Sequence, residues 1–173
     1  MTYFDSLKDA SEITDVFFQR PNKYMVTLTL AQELLREESH LSPKDREVIA
    51  AYTSYLNGCE YCYGSHREFA KSLGADEVDM SIFDAKDSAH RLQPILEYVE
   101  KLTKAPSSLT QADKDKVISS GFTEEELKDA IGVCAAFNFF NRIVEGHGIK
   151  ANEATYKSSA EMINKHGYDR RYK

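Results

Sequence analysis

The chain has 173 residues with 22 Lys and Arg against 28 Asp and Glu, a formal charge of −6. That balance disfavours nucleic acid and anionic lipid as partners, and 42% hydrophobic content with 29% charged residues excludes disorder over most of the length. No apolar run approaches the roughly 18 residues of a membrane span, and the opening MTYFDSLKDASEITD lacks the pattern of a secretory signal. The expectation is one cytoplasmic domain over residues 1–173, with a core at about 24–166, a short N-terminal arm and a basic C-terminal tail.

With 8 Gly and 4 Pro, breakers are far apart and the intervals read with helical period. An all-α fold is predicted. Asn22 to Glu38 carries Tyr24, Met25, Leu28, Leu30, Leu34 and Leu35 mostly at three- and four-residue steps, a first helix. Ser42-Pro43 with Asp45 reads as an N-cap, a first helical residue and a capping box, and this second helix ends at Asn57-Gly58. A third starts at about Cys59 and runs to Leu73-Gly74. A fourth spans about Asp87 to Lys104, where Pro94 signals a bend or a late start. A short helix follows Thr110. Thr123 and Glu126 form a second capping box for a helix reaching Gly146 or Gly148, and a last amphipathic helix covers about Ala151 to Lys165. LSPKDREVIA and LTQADKDKVIS share a cap and a Val-Ile step, a faint sign of two similar halves. The tail from Asp169 reads as a frayed end.

Chemistry concentrates in one place: Glu47, Cys59, Cys62 and His66. At about 100° per residue the two thiols and the imidazole share one helix face. If the helices flanking Asn57-Gly58 form an antiparallel hairpin, Glu47 lies beside Glu68, one turn from His66. At about 1.5 Å per residue Glu47 sits about 16 Å from the turn, His66 about 13 Å and Cys62 about 7 Å. The order is carboxylate, imidazole, thiol, thiol. Glu47 would then raise the basicity of His66, and His66, directly or through water, would take a thiol proton. Such activation is needed because an ordinary thiol, with a pKa near about 8.5, is only a few per cent thiolate at neutral pH. A thiolate meeting a peroxide becomes a sulfenic acid, which a second cysteine converts to a disulfide, and an external dithiol reopens the bridge.

The stretch from Arg46 to Gly74, REVIAAYTSYLNGCEYCYGSHREFAKSLG, resembles the alkylhydroperoxidase AhpD-like group of the carboxymuconolactone decarboxylase superfamily. Phe137-Asn138-Phe139-Phe140-Asn141-Arg142-Ile143 is similar to a later helix of its peroxidase-related branch. The resemblance implies an AhpD-like helical bundle whose central hairpin carries the CxxC motif. It implies no bound cofactor or metal, a homo-oligomer (trimer or hexamer), a peroxide substrate and a dithiol or lipoyl-type reductant. It also implies that the second cysteine, Cys62, is peroxidatic and that Cys59 resolves, with Glu47 and His66 as the proton relay. The helix dipole alone favours Cys59; the relay order favours Cys62. Better-known members carry a histidine between the cysteines, where this chain has Tyr61.

Two rival readings use the same residues: a protein or lipoyl disulfide oxidoreductase, and a non-catalytic redox-sensing or metal-binding assembly protein. Lactone decarboxylation, also within the superfamily, would leave the cysteine pair without a use. Two thiolates and one imidazole are zinc ligands in kind, but no second Cys/His cluster completes a structural set of four. Haem attachment would need His directly after Cys62, and Tyr63 stands there. Cys134 reads as core packing. His40 and His166 read as helix-end residues, His90 as solvated, and His147 as a lesser candidate for the site. Asn138, Asn141 and Arg142 need partners inside the fold or across an interface. The run of Phe137, Phe139 and Phe140 covers more than one helix face and argues for a second subunit.

Overall fold

The computed structural model describes residues 2–7, 12–76, 90–150 and 152–169, and these contain eight α-helices and no strand. They are α1 (Ile13–Gln19), α2 (Pro21–Leu35), α3 (Pro43–Leu56), α4 (Glu60–Ser72), α5 (Gln93–Lys104), α6 (Gln111–Ser119), α7 (Glu124–His147) and α8 (Glu153–His166), with a 3-10 turn at Pro106–Ser108. Among the described residues no helix is long and apolar enough to cross a membrane.

The centre of the bundle is α3, where Val48, Ile49, Ala50 and Ala51 are all at most 1% exposed. Small alanines let neighbours approach closely, and α2, α4, α5 and α7 pack around it. The buried Thr53 and Ser54 hydroxyls donate within the helix itself, Thr53 Oγ1 to the Ile49 carbonyl at 2.9 Å and Ser54 Oγ to that of Ala50 at 2.8 Å. The N-cap and first turn of α3 are the ones expected, with Ser42 Oγ accepting the Asp45 N–H at 3.1 Å and Pro43 in the first turn, but the capping box is not formed, since the Asp45 carboxylate accepts from the Ser42 hydroxyl at 2.8 Å.

The end of α3 positions the site. Gly58 takes φ +68°, the Gly58 N–H bonds the Tyr55 carbonyl at 3.0 Å and the Cys59 N–H bonds that of Ser54 at 3.0 Å. These two bonds make a Schellman turn, whose closing residue, Cys59, is also the N-cap of α4. Chain reversal and thiol placement are thus one event. The turn is tied to α7: Asn57 Nδ2 donates to Asn141 Oδ1 at 2.9 Å and to Asn138 Oδ1 at 3.2 Å, and Asn141 Nδ2 donates to Ser54 Oγ at 3.0 Å. Arg142 closes on the Asn138 side chain at 3.0 Å. The polar residues of α7 therefore find their partners inside the fold.

Several expectations change. The first helix stops at Leu35, three residues early, because Arg36 leaves helical geometry at φ −127° and turns inward. It is preceded by α1, which the sequence reading left in an arm: Val16 and Phe17 are buried, and the Phe17 ring stacks on Tyr24 at 5.6 Å. The fourth helix begins late, at Gln93 with Pro94 in its first turn; positions 87–89 of the expected span lie outside the described residues, as do Ala151 of the last and residues 170–173 of the tail. Asp169 is no frayed end. It is 2% exposed and accepts a hydrogen bond from Thr29 Oγ1 at 2.7 Å. The likeness between α3 and α6 ends at their caps, since α6 buries only Val117. Phe137 and Phe140 are buried within the chain, which removes the need for a second subunit to cover them; Phe139 is exposed.

Candidate active site

The four residues singled out in the sequence converge between α3 and α4. Glu47 is fully buried on α3, and across the hairpin its direct partner is His66 rather than Glu68, with His66 Nδ1 and Glu47 Oε2 2.6 Å apart. An ionised carboxylate only accepts, so Nδ1 carries a proton, and in the neutral ring Nε2 is then the acceptor. The ring is held edge-on by Phe137 at 4.4 Å and by Phe69 at 5.1 Å.

Two residues absent from the sequence reading complete the carboxylate's surroundings. Arg36 reaches Glu47 Oε1 at 2.5 Å, and the Tyr168 hydroxyl donates to the same oxygen at 2.8 Å. Burial pushes the Glu47 carboxyl up, but the charge and hydrogen bond of His66, then the charge of Arg36 and the Tyr168 hydroxyl, hold it below its ordinary range. Burial and the Glu47 charge push the Tyr168 phenol well up, so it stays a donor.

Cys59, Cys62 and Cys134 are all free thiols and all buried. Cys62 lies in the first turn of α4, one turn before His66, and both line a cavity of about 470 Å³. Its wall is largely apolar, drawn from α1, α2, α4, α7 and α8: Phe17, Leu28, Phe69, Phe137, Phe140 and Ile163 among others. Cys59 does not line it. The Cys59 thiol is pushed well up by its interaction with Cys62 and by burial, so it holds its proton.

Tyr61, between the two cysteines, points to the α1 side of the cavity, and its hydroxyl accepts the Ile13 N–H at 3.5 Å. A different tyrosine lies on the same wall. Tyr156 of α8 packs its ring over Gly64, where any Cβ would collide with it, and its hydroxyl is buried without a hydrogen-bond partner of proper geometry. Burial pushes that phenol up to about 12.

The remaining candidates lie elsewhere. His147 Nδ1 bonds the Ile143 carbonyl at 2.7 Å, and its ring packs on Phe4. His90 is half-buried rather than solvated, its Nδ1 accepting the Leu92 N–H at 3.1 Å at the start of α5. Cys134 sits between α5 and α7 with its sulfur 3.3 Å from Thr103 Oγ1. Among the described residues no group of three or more His, Cys, Asp and Glu side chains is arranged to hold a metal ion.

Arg36 and Tyr168 escaped the sequence reading because they come from a helix end and from the chain's last described turn, 11 positions before Glu47 and 121 after it. Neither follows a period or a motif.

Comparison with known proteins agrees with this architecture. Residues 23–87 match the carboxymuconolactone decarboxylase family. The chain is 24% identical over 128 residues to the uncharacterized protein YdfG of Bacillus subtilis (strain 168), covering 72% of this chain and 87% of that protein. Two solved structures share its fold. One is an uncharacterized peroxidase-related protein from Silicibacter sp. TM1040, with a TM-score of 0.73 and 24% identity over 90% of this chain and 94% of that one. The other is an AhpD-core, uncharacterized peroxidase-related protein from Ralstonia eutropha JMP134, with a TM-score of 0.74 and 20% identity over 90% and 94%. The segment similar to the carboxymuconolactone decarboxylase family contains the whole α3–α4 hairpin with Glu47, both thiols and His66, and it is set in a fold shared with these two structures.

Proposed function

We propose that this protein is a thiol peroxidase of the alkylhydroperoxidase kind, in which Cys62 attacks a hydroperoxide and Cys59 resolves the product. One observation carries the reading: the two thiols divide their surroundings, Cys62 on the cavity wall with His66, and Cys59 off that wall at the N-cap of the same helix, one turn before Cys62. His66, oriented by Glu47, takes the Cys62 proton, and the positive end of α4 stabilises the charge that develops on a first-turn sulfur. The thiolate attacks the peroxide, the O–O bond breaks, and the leaving alkoxide takes a proton from the imidazolium. Cys62 is left as a sulfenic acid. The Cys59 thiol then displaces water to form the Cys59–Cys62 disulfide, and a dithiol or lipoyl-type reductant returns both thiols by exchange.

The largely apolar wall suits an organic hydroperoxide, since hydrogen peroxide alone would fill little of about 470 Å³. Near-complete burial of both sulfurs favours a small oxidant over a protein disulfide. With Tyr61 turned to α1, the Tyr156 hydroxyl on the cavity wall is a donor available to the leaving oxygen. The test is peroxide consumption with a dithiol donor, together with mass analysis after one equivalent of cumene hydroperoxide. Linked Cys59 and Cys62 with Cys134 free, and no turnover by Cys62→Ser, are the expected results. Wild-type turnover surviving in Cys62→Ser overturns the assignment, and a disulfide substrate turned over faster than peroxide moves it to an oxidoreductase.

A further inference from the structure

Arg36 and Tyr168 touch neither thiol nor the free side of the imidazole, yet they converge on the carboxylate behind it. Both occupy Glu47 Oε1, and His66 occupies Oε2. They also brace one another, with the Arg36 guanidinium 5.0 Å over the Tyr168 ring, which itself lies at 14° to the imidazole plane.

Tyr168 is delivered by a short strap. After α8, Gly167 turns the chain at φ +72°. Gln32 Oε1 of α2 then accepts the backbone N–H groups of Tyr168 at 2.7 Å and Asp169 at 3.4 Å, and Thr29 holds the Asp169 side chain. A Cβ at position 167 would run into the Gln32 amide, so the strap can lie this close only with glycine there.

We propose that Arg36 and the strap residue Tyr168 are positioning residues for the site: by claiming Oε1 they hold the buried Glu47 ionised and leave only Oε2 to His66, which fixes Nδ1 as the N–H and presents Nε2 to the cavity. The inference rests on the reading of His66 as the base for Cys62. A carboxylate taken out of water without compensation protonates, and a protonated Glu47 would no longer dictate the imidazole tautomer. Arg36 also supplies the counter-charge, so neutralising Glu47 does not fall to His66, which can then accept and return a proton. The groups facing Glu47 are His66 from α4, Arg36 from the end of α2 and Tyr168 from the strap, with Arg46 the next cation on its own helix; α7 meets the pair with Phe137.

The test uses the full chain with 15N-labelled histidine, following by NMR the pH at which His66 loses its Nδ1–H bond to the carboxylate. In Arg36→Gln that midpoint should rise by about one pH unit or more, the effect of losing a cation at this range. In Tyr168→Phe and in Gly167→Ala, which shifts the strap without touching the site, it should rise by a smaller step. Arg36→Lys keeps the charge and should stay close to wild type. Lower melting temperatures in Arg36→Gln and Tyr168→Phe with an unmoved midpoint would make both residues mere packing and overturn the inference. A moved midpoint in Tyr168→Phe with none in Gly167→Ala would overturn the role of the strap. Peptide-resolved alkylation of native wild type tests the underlying reading separately: Cys62 reacting no faster than Cys134 sinks thiol activation, whatever the imidazole does.

Discussion

Cys62 and Cys134 are buried almost equally, at 3% and 0% exposure, on helices that both pack against α3. Their neighbours differ in kind. Cys134 meets the hydroxyl of Thr103, the amide of Asn138 and the Val99 carbonyl, groups that satisfy a thiol and take nothing from it. Burial pushes its thiol up, and it borders no part of the cavity described above. Cys62 has the cavity in front, the His66 imidazole one turn along its helix and the Cys59 thiol one turn before it. Burial alone disfavours the thiolate; on the proposed reading, an acceptor and an opening are what set Cys62 apart from Cys134.

The strongest way to break this contrast is to remove the sulfurs in turn. Cys62→Ser should lower peroxide turnover by at least about a thousandfold, the scale of losing a nucleophile. Cys59→Ser should also stop steady-state turnover, yet leave one round of reaction, seen as a sulfenic acid at Cys62 that a dimedone trap captures. If the trap labels Cys59 in the Cys62→Ser protein instead, the two roles are exchanged.

Next in size is the relay. His66→Gln should cost about a hundredfold to ten-thousandfold in rate, the usual range for a general base. Glu47→Gln should do this and also destabilise the fold by about 3–5 kcal/mol, since it leaves Arg36 buried beside a neutral amide. The pH dependence has a definite sign. The folded Glu47 carboxyl titrates below its unfolded value, so its contribution to stability is complete above that unfolded value, ordinarily about 4.3, and fades as pH falls through the folded one. The gap between wild type and Glu47→Gln in denaturant melts should be widest near neutrality and shrink below about pH 4.

Smaller again is the effect expected of Tyr156→Phe. If its hydroxyl donates to the departing oxygen, its loss should slow the peroxide step about tenfold, the worth of one neutral hydrogen bond gained in the transition state. Having no good partner in the resting protein, it should leave stability unchanged or slightly raised. A stability loss without a rate loss would assign Tyr156 to packing over Gly64.

How much of this was legible in the sequence follows from how each feature is encoded. Ser42-Pro43 and Asn57-Gly58 act through bonds to residues within five positions, so the bounds of α3 and the turn before Cys59 could be read directly. The register that sets Glu47 against His66 was readable to within two residues, because helical rise is nearly constant and the turn pins the origin. The two groups that bond the far oxygen of Glu47 were not readable in this way. Arg36 sits where the apolar stripe of α2 runs out, and a charged residue at a helix end ordinarily faces water. Tyr168 lies beyond the expected core, which ends at about residue 166, and directly before the tail read as frayed from Asp169; Gln32 and Thr29, more than 130 positions away, tie this segment to α2. For Tyr61 the sequence flagged a departure, but its direction toward Ile13 depends on α1, a seven-residue helix too short to carry a clear period.

The smallest effect belongs to the control side of the comparison. Cys134→Ala should leave peroxide turnover unchanged and cost about 1 kcal/mol, since it empties less than a methylene chain's volume from a tight contact between α5 and α7. The cost should be no larger because Thr103 and Asn138 keep other partners: Asn138 Nδ2 still reaches Thr103 Oγ1 at 3.3 Å and the backbone carbonyl of residue 134 at 3.1 Å. Asn138 also receives Asn57, so the substitution tests whether the amide network under the turn is independent of the thiol it borders. Unchanged Cys62 alkylation alongside a modest drop in melting temperature would mean that the turn takes its geometry from the asparagines. Slower Cys62 alkylation in Cys134→Ala would instead mean that the two thiol neighbourhoods are coupled through Asn138 and Asn57, and the contrast between an inert and a reactive sulfur would have to be drawn between networks rather than between residues.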